Sequence, residues 1–235
     1  EACRTSDLEV ESIISNGSGV YTNYTWFNPE GKIETLNQSS NRFNTSEAGM
    51  FDLNLMVEDS KTCIGEKDVK ILIHQLPEID LEQYIETCVG TDVRLEPNIS
   101  NTPIENATYL WEGETDLLNG SSFYKPIFRH NQSGEYTYTF NVNDDNGCEN
   151  SANTIVVNYE NPSADFNFNN ELENFSFNAN QGNLTTYNWD FGDGTTIQSN
   201  NLNVFHEFTA NGLFTVSLFA TDLTNCSNTL IETDY

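Results

Sequence analysis

Apolar residues recur at every second position in three stretches of the chain. They are Gly49-Met50-Phe51-Asp52-Leu53-Asn54-Leu55-Met56-Val57, Gly134-Glu135-Tyr136-Thr137-Tyr138-Thr139-Phe140-Asn141-Val142 and Gly212-Leu213-Phe214-Thr215-Val216-Ser217-Leu218-Phe219-Ala220. A period of two is that of a strand with one buried face. A second strand precedes each, built on Tyr24-Thr25-Trp26, Tyr109-Leu110-Trp111 and Tyr187-Asn188-Trp189, which contain the only three tryptophans. The interval from tryptophan to the repeat glycine is the same in all three copies: Trp26 to Gly49, Trp111 to Gly134, Trp189 to Gly212. The longer interval from tryptophan to cysteine is constant too, with Cys63, Cys148 and Cys226 as its ends. A repeat whose landmarks keep their spacing predicts three structural units, here 1–76, 77–160 and 161–235.

The coarse pattern fills in the rest. Unit one is predicted to have strands over 8–14, 21–27, 50–57 and 68–74, with a turn at Asn28-Pro29-Glu30-Gly31. Unit two is predicted to have strands over 79–85, 93–95, 109–112, 135–142 and 154–159, with Asp144-Asp145-Asn146-Gly147 as a strand-ending turn. In unit three, strands are expected over 164–168, 175–178, 187–191 and 229–235, and Asp193-Gly194 fits a two-residue hairpin. No stretch has helical periodicity. The fold class is therefore all-β, three tandem sandwiches each packed around one tryptophan.

Trp189-Asp190-Phe191-Gly192-Asp193-Gly194, then Phe205-His206-Glu207-Phe208, then Gly212-Leu213-Phe214-Thr215-Val216 resembles the PKD domain, an immunoglobulin-like sandwich. The first two units, with Cys88-Val89-Gly90-Thr91-Asp92 and Asp144-Asp145-Asn146-Gly147-Cys148, resemble the cysteine-bridged repeats of secreted Bacteroidota proteins. They lack the Phe-Gly-Asp-Gly hairpin. Some PKD domains bind calcium near this hairpin, so the resemblance makes Asp190 and Asp193 candidate calcium ligands. Turn chemistry, with the Asp and Gly residues shaping the loop alone, is the competing reading.

Cys3 is as far from Cys63 as Cys88 is from Cys148, and each front cysteine precedes its tryptophan by the same interval. The shared spacing predicts bridges Cys3–Cys63 and Cys88–Cys148, each within its unit, and an oxidising, extracellular setting. In unit three the front position is Phe166. Cys226 is expected to be a free thiol, either buried at the sandwich end beside Phe166 or joined to another chain. On the first alternative, Phe166→Cys would restore a third bridge.

The formal charge of −27, from 36 acidic and 9 basic residues, argues against nucleic acid and anionic membrane as partners. No apolar run is long enough for a membrane helix, so no membrane insertion is expected in this segment. His74, His130 and His206 fall in three different units, and none has a second metal ligand at working spacing. Gly17-Ser18-Gly19 lacks the spacing of a nucleophile elbow. No residue set carries a reaction, and no cofactor other than calcium is implied. The chain contains 11 Asn-x-Ser/Thr triplets, only a modest excess over chance.

Little sequence precedes Cys3, whereas 77–87 precede Cys88. Unit one is thus expected to be truncated at its start and the chain to be an excerpt of a longer protein. The expected role is a non-catalytic stalk of a secreted or cell-surface protein. The resemblance implies type IX export, adhesion or gliding motility, with other domains of the same chain and surface glycans or proteins as partners. The alternatives are an accessory array of a secreted hydrolase and a eukaryotic ectodomain.

Overall fold

The computed structural model describes residues 1–4, 7–29, 37–102, 104–171, 174–179 and 186–233. Glu30 and Gly31 of the predicted first turn, the triplet at Asn183, and Asp234 and Tyr235 of the predicted last strand lie outside the described residues. Unit one contains β1 (Ala2–Cys3), β2 (Leu8–Glu11), β3 (Tyr21–Phe27), β4 (Ser40–Phe43), β5 (Gly49–Asp59) and β6 (Ile64–His74). Unit two contains β7 (Glu78–Asp80), β8 (Tyr84–Cys88), β9 (Val93–Arg94), β10 (Asn98–Ser100), β11 (Thr108–Gly113), β12 (Ile127–Phe128), β13 (Gly134–Asn143) and β14 (Glu149–Tyr159). Unit three contains β15 (Phe166–Glu171), β16 (Asn174–Ala179), β17 (Thr186–Asp190), β18 (Thr196–Ser199), β19 (Asn203–His206), β20 (Val216–Thr221) and β21 (Ser227–Glu232). Two single-turn 3-10 helices, Ile104–Asn106 and Thr115–Leu117, are the only helical elements among the described residues.

Every sheet draws its strands from within one unit. Unit one pairs β1-β6-β5-β3 in one sheet and β2-β4 in the other. Unit two has β11-β13-β14-β8 opposed by the ribbons β10-β7 and β12-β9, and unit three has β18-β17-β20-β21 opposed by β15-β16-β19. The alternating strand is the spine of each core. Phe51, Leu53, Leu55 and Val57 of β5 point inward with Trp26, Phe43, Ile71 and Ile73. Tyr136, Tyr138, Phe140 and Val142 of β13 do the same around Trp111, and Val216 and Leu218 of β20 around Trp189. One face of each strand is thus removed from water, which is the main stabilising term.

The structure departs from the periodicity at strand ends. The predicted strand over 79–85 divides into β7 and β8, which join different sheets. β6 starts at Ile64 rather than Asp68, because it pairs with β5 from Glu58↔Ile64 onward; its first seven residues are exposed, so no apolar alternation marks them. β20 begins at Val216, whereas β5 and β13 begin at the repeat glycine. The loop between β17 and β18 is not a two-residue hairpin. Gly192 (φ 74°) and Gly194 (φ 93°) are left-handed and Asp193 between them is not, so five residues separate the strands. A Cβ on Gly192 would run into the Thr215 carbonyl oxygen, so this position requires glycine.

Candidate functional site

The feature that recurs in all three units is the loop joining the last two strands. Asp59, Asp144 and Asp222 open it, and a cysteine closes it four residues later. In each copy the aspartate N–H donates to the cysteine carbonyl at 3.0 Å. One carboxylate oxygen accepts from the cysteine N–H, at 2.9 Å for Asp59–Cys63, 2.8 Å for Asp144–Cys148 and 3.0 Å for Asp222–Cys226. The same oxygen accepts from the residue two after the aspartate: Lys61, Asn146 and Thr224. Donors aimed at an anion favour its charged form. The Cys63 N–H, followed by that of Ser18, holds Asp59 down at about 2. Asp59 and Asp144 are buried, so these carboxylates build the loop and are not presented to a ligand.

The residue before each cysteine is left-handed: Thr62 at φ 64°, Gly147 at 75° and Asn225 at 62°. Gly and Asn tolerate this region, whereas β-branched threonine does not. Thr62→Gly is therefore expected to stabilise unit one by roughly 1 kcal/mol, the ordinary cost of a left-handed L-residue. A melt of the variant against the parent measures it, and an unchanged or lower midpoint contradicts it.

The cysteines so presented are bonded across units. Cys3 pairs with Cys148, at a Cα–Cα distance of 5.5 Å, and Cys88 with Cys226, at 5.6 Å. Cys63 is free and exposed. The expected bridges Cys3–Cys63 and Cys88–Cys148, and the expected free thiol at Cys226, are thus replaced. The reason is the length of the last strand. β1 lies parallel to β6 with Cys3 opposite His74, and β8 lies parallel to β14 with Cys88 opposite Tyr159. The back cysteine sits eleven residues earlier, at the other end of that strand. Eleven residues of strand span about 35 Å. A disulfide requires Cα atoms within about 7 Å, so the two cysteines of one unit cannot meet.

Each bridge instead lies beside the peptide linker. Asn150, two residues after Cys148, donates through Nδ2 to the Pro77 carbonyl at 2.8 Å, in the link between units one and two. Asn161, in the link between units two and three, donates to the carbonyl of Val89, next to Cys88, at 3.1 Å. Each joint therefore has two covalent connections, one peptide and one cystine. Phe166 does not lie in a bridge's place. It sits in the core of unit three, 5.1 Å from the ring of Trp189 and 6.1 Å from that of Phe177. Restoring a bridge through Phe166→Cys is ruled out, since Cys226 already has a partner.

Asp190 and Asp193 lie in the same β17–β18 loop but have different hydrogen-bond partners. Asp190 accepts from the Gly192 N–H at 2.9 Å. One oxygen of Asp193 accepts from the Thr195 N–H (2.9 Å) and hydroxyl (2.6 Å), and the other lies 2.8 Å from His206 Nε2. An ionised carboxylate only accepts, so Nε2 carries the proton. His206 is stacked on Phe191 at 4.1 Å and edge-on to Phe208 at 4.6 Å. Its place opposite Asp193 is a role the sequence analysis missed, although the Phe205-His206-Glu207-Phe208 run was visible. Calcium takes six to eight oxygens. Both oxygens of Asp193 are already engaged, and no group of three or more His, Cys, Asp or Glu among the described residues could hold a metal. Asp190 and Asp193 thus act in this loop as hydrogen-bond acceptors that shape the turn.

Thr195, more than His206, holds the Asp193 carboxyl down at about 2. A carboxyl lowered on folding contributes stability above its unfolded value, about 3.9, and loses it as pH falls toward the folded value. Unit three is expected to weaken between about pH 4 and pH 2. Asp193→Asn should flatten that part of its acid titration, followed by Trp189 fluorescence, and an unchanged profile contradicts the assignment.

The PKD domain family matches residues 160–235. The third unit is a PKD domain. The chain is similar to the PKD1 domain of Vibrio anguillarum Epp at 30% identity, covering 31% of this chain and 89% of that one, with a TM-score of 0.27. It is similar to the I-band fragment I67-I69 from titin at 12% identity, covering 99% and 93%, with a TM-score of 0.42. A Bacteroides ovatus protein, the mixed-linkage glucan utilization locus SGBP-B in complex with a mixed-linkage heptasaccharide, aligns at 15% identity over 99% of this chain and 64% of that one, with a TM-score of 0.27. No curated protein matches the sequence. The PKD domain is thus preceded by two further immunoglobulin-like sandwiches joined to it and to each other by cystines. No helix among the described residues is long and apolar enough to cross a membrane.

Proposed function

We propose that the chain is a stiff, non-catalytic spacer of an extracellular protein, with its three sandwiches held in series. The observation that carries this reading is the pair of cystines that straddle the joints. Domains joined by a single short linker bend and twist against one another by default. A second covalent tether beside the linker removes the twist and confines bending to one axis. The pairs also favour an oxidising compartment, where such bonds persist. The acidic surface, with its charge of −27, keeps neighbouring stalks apart. Adhesion or gliding motility, with surface glycans or proteins as ligands, is the finer proposal. It rests on the sequence resemblance to bridged Bacteroidota repeats.

Small-angle scattering tests the spacer reading. Three units of about 35 Å each, from the strand rise, predict a rod near 100 Å long in the oxidised protein. Reductant should broaden the distance distribution while the sheets persist. A compact oxidised particle, or a distribution indifferent to reductant, overturns it.

A further inference from the structure

We propose that Cys63 is one half of a third inter-unit cystine. Its partner is the cysteine that another sandwich of this kind carries at the far end of its last long strand. The proposal rests on the cross-unit pairing itself and not on the spacer role. Cys148 and Cys226 are the counterparts of Cys63 in the other two units, and both are bonded to a front cysteine of the preceding unit. Cys63 is presented in the same way, its N–H held 2.9 Å from Asp59 Oδ1, but its sulfur is free and exposed while both counterparts are fully buried.

The end of unit one around Cys63 is also unusually apolar. Ile64 follows the cysteine and is 65% exposed, where units two and three have Glu149 and Ser227. Val20, whose carbonyl accepts from Ser60 of the same loop, is 58% exposed. Ile13, in the stretch leading to this end, is 97% exposed. Exposed aliphatic side chains beside the thiol and across its loop suit a packed joint and not open water. Both front cysteines of this chain are already bonded, so a second oxidised copy has none to offer, and the occupant is a sandwich whose front cysteine is unpaired. Bond formation removes one proton and one electron from each thiol. A disulfide oxidant such as oxidised glutathione takes both electrons and leaves as two thiols.

Two measurements test this on the intact chain. Incubation of the folded, oxidised protein with oxidised glutathione should attach one glutathione, at Cys63, and leave the two cystines in place. The second measurement lengthens the chain at its start by a copy of residues 1–77, the copy carrying Cys63→Ser. Disulfide mapping should then find Cys63 bonded to the front cysteine of the added copy, and the count of free thiols should fall from one to none. A Cys63 that resists glutathione in the folded protein overturns the proposal. So does a Cys63 that stays free in the lengthened chain while the two native cystines form. That second result would leave the spacer reading intact.

Discussion

Reducing the cystines is expected to split one coupled unfolding transition into separate ones, at lower temperature. The bridges close loops of 145 and 138 residues, each running through two units. In the chain-entropy account, a loop of this length is worth about 5 kcal/mol of constraint on the unfolded chain. That approaches the whole stability of a small domain, on the order of 5–15 kcal/mol. The constraint falls on both units that a bridge joins, since unfolding either one frees only part of the loop. Cys226→Ser should therefore lower the melting of unit two as well as that of the PKD domain, although it touches only one residue of the latter. Calorimetry in oxidised and reduced protein measures this. Equal midpoints, or a Cys226→Ser effect confined to the PKD domain, would contradict it.

The second large effect concerns the tryptophans, which occupy equivalent places with unequal partners. Trp26 Nε1 donates to the Gln38 carbonyl at 2.9 Å, and Trp111 Nε1 to the Phe123 carbonyl at 3.1 Å. Trp189 Nε1 is buried with no acceptor among the described residues. Trp111→Ala and Trp189→Ala each empty a fully buried site and should cost about 3–5 kcal/mol. Substitution by Phe separates the two. Trp111→Phe loses a hydrogen bond worth about 1 kcal/mol on top of the change in packing. Trp189→Phe removes a buried donor whose unmet burial costs about 1–3 kcal/mol, so its packing loss is offset. Urea midpoints should therefore drop further for Trp111→Phe than for Trp189→Phe. The reverse order would mean that the Trp189 indole N–H is satisfied.

Much of the architecture was legible because burial imposes a period. Phe51 to Val57 and Tyr136 to Val142 alternate since one face of each strand meets a core, and the tryptophan spacing marks the repeat. Strands that are exposed or very short gave no such signal. The first seven residues of β6 are exposed, and β4, although Phe43 is buried, spans only Ser40–Phe43. The PKD domain was readable from its Trp-Asp-Phe-Gly-Asp-Gly run, yet its loop geometry was not. Asp193 is fixed by Thr195 and by His206, thirteen residues away, and a local turn rule sees only the first.

The disulfide pairing was the largest misreading, and its cause is physical. The equal front-to-back spacings show that Cys3 and Cys88 occupy equivalent places, and likewise Cys63 and Cys148. Equivalence is not proximity. The front cysteine docks in parallel at the end of a strand whose beginning carries the back cysteine, and the two ends are held apart by the strand itself. The aspartate four residues before every back cysteine was a usable clue. It marks a loop at one end of the sandwich, whereas the front cysteine closes an edge strand.

Disulfide mapping of the oxidised chain without reductant tests the cross-unit tethering most directly. Digestion after alkylation should yield peptides joined as Cys3–Cys148 and Cys88–Cys226, with Cys63 alone alkylated. Recovery of Cys3–Cys63 and Cys88–Cys148, with the alkyl group on Cys226, would contradict it.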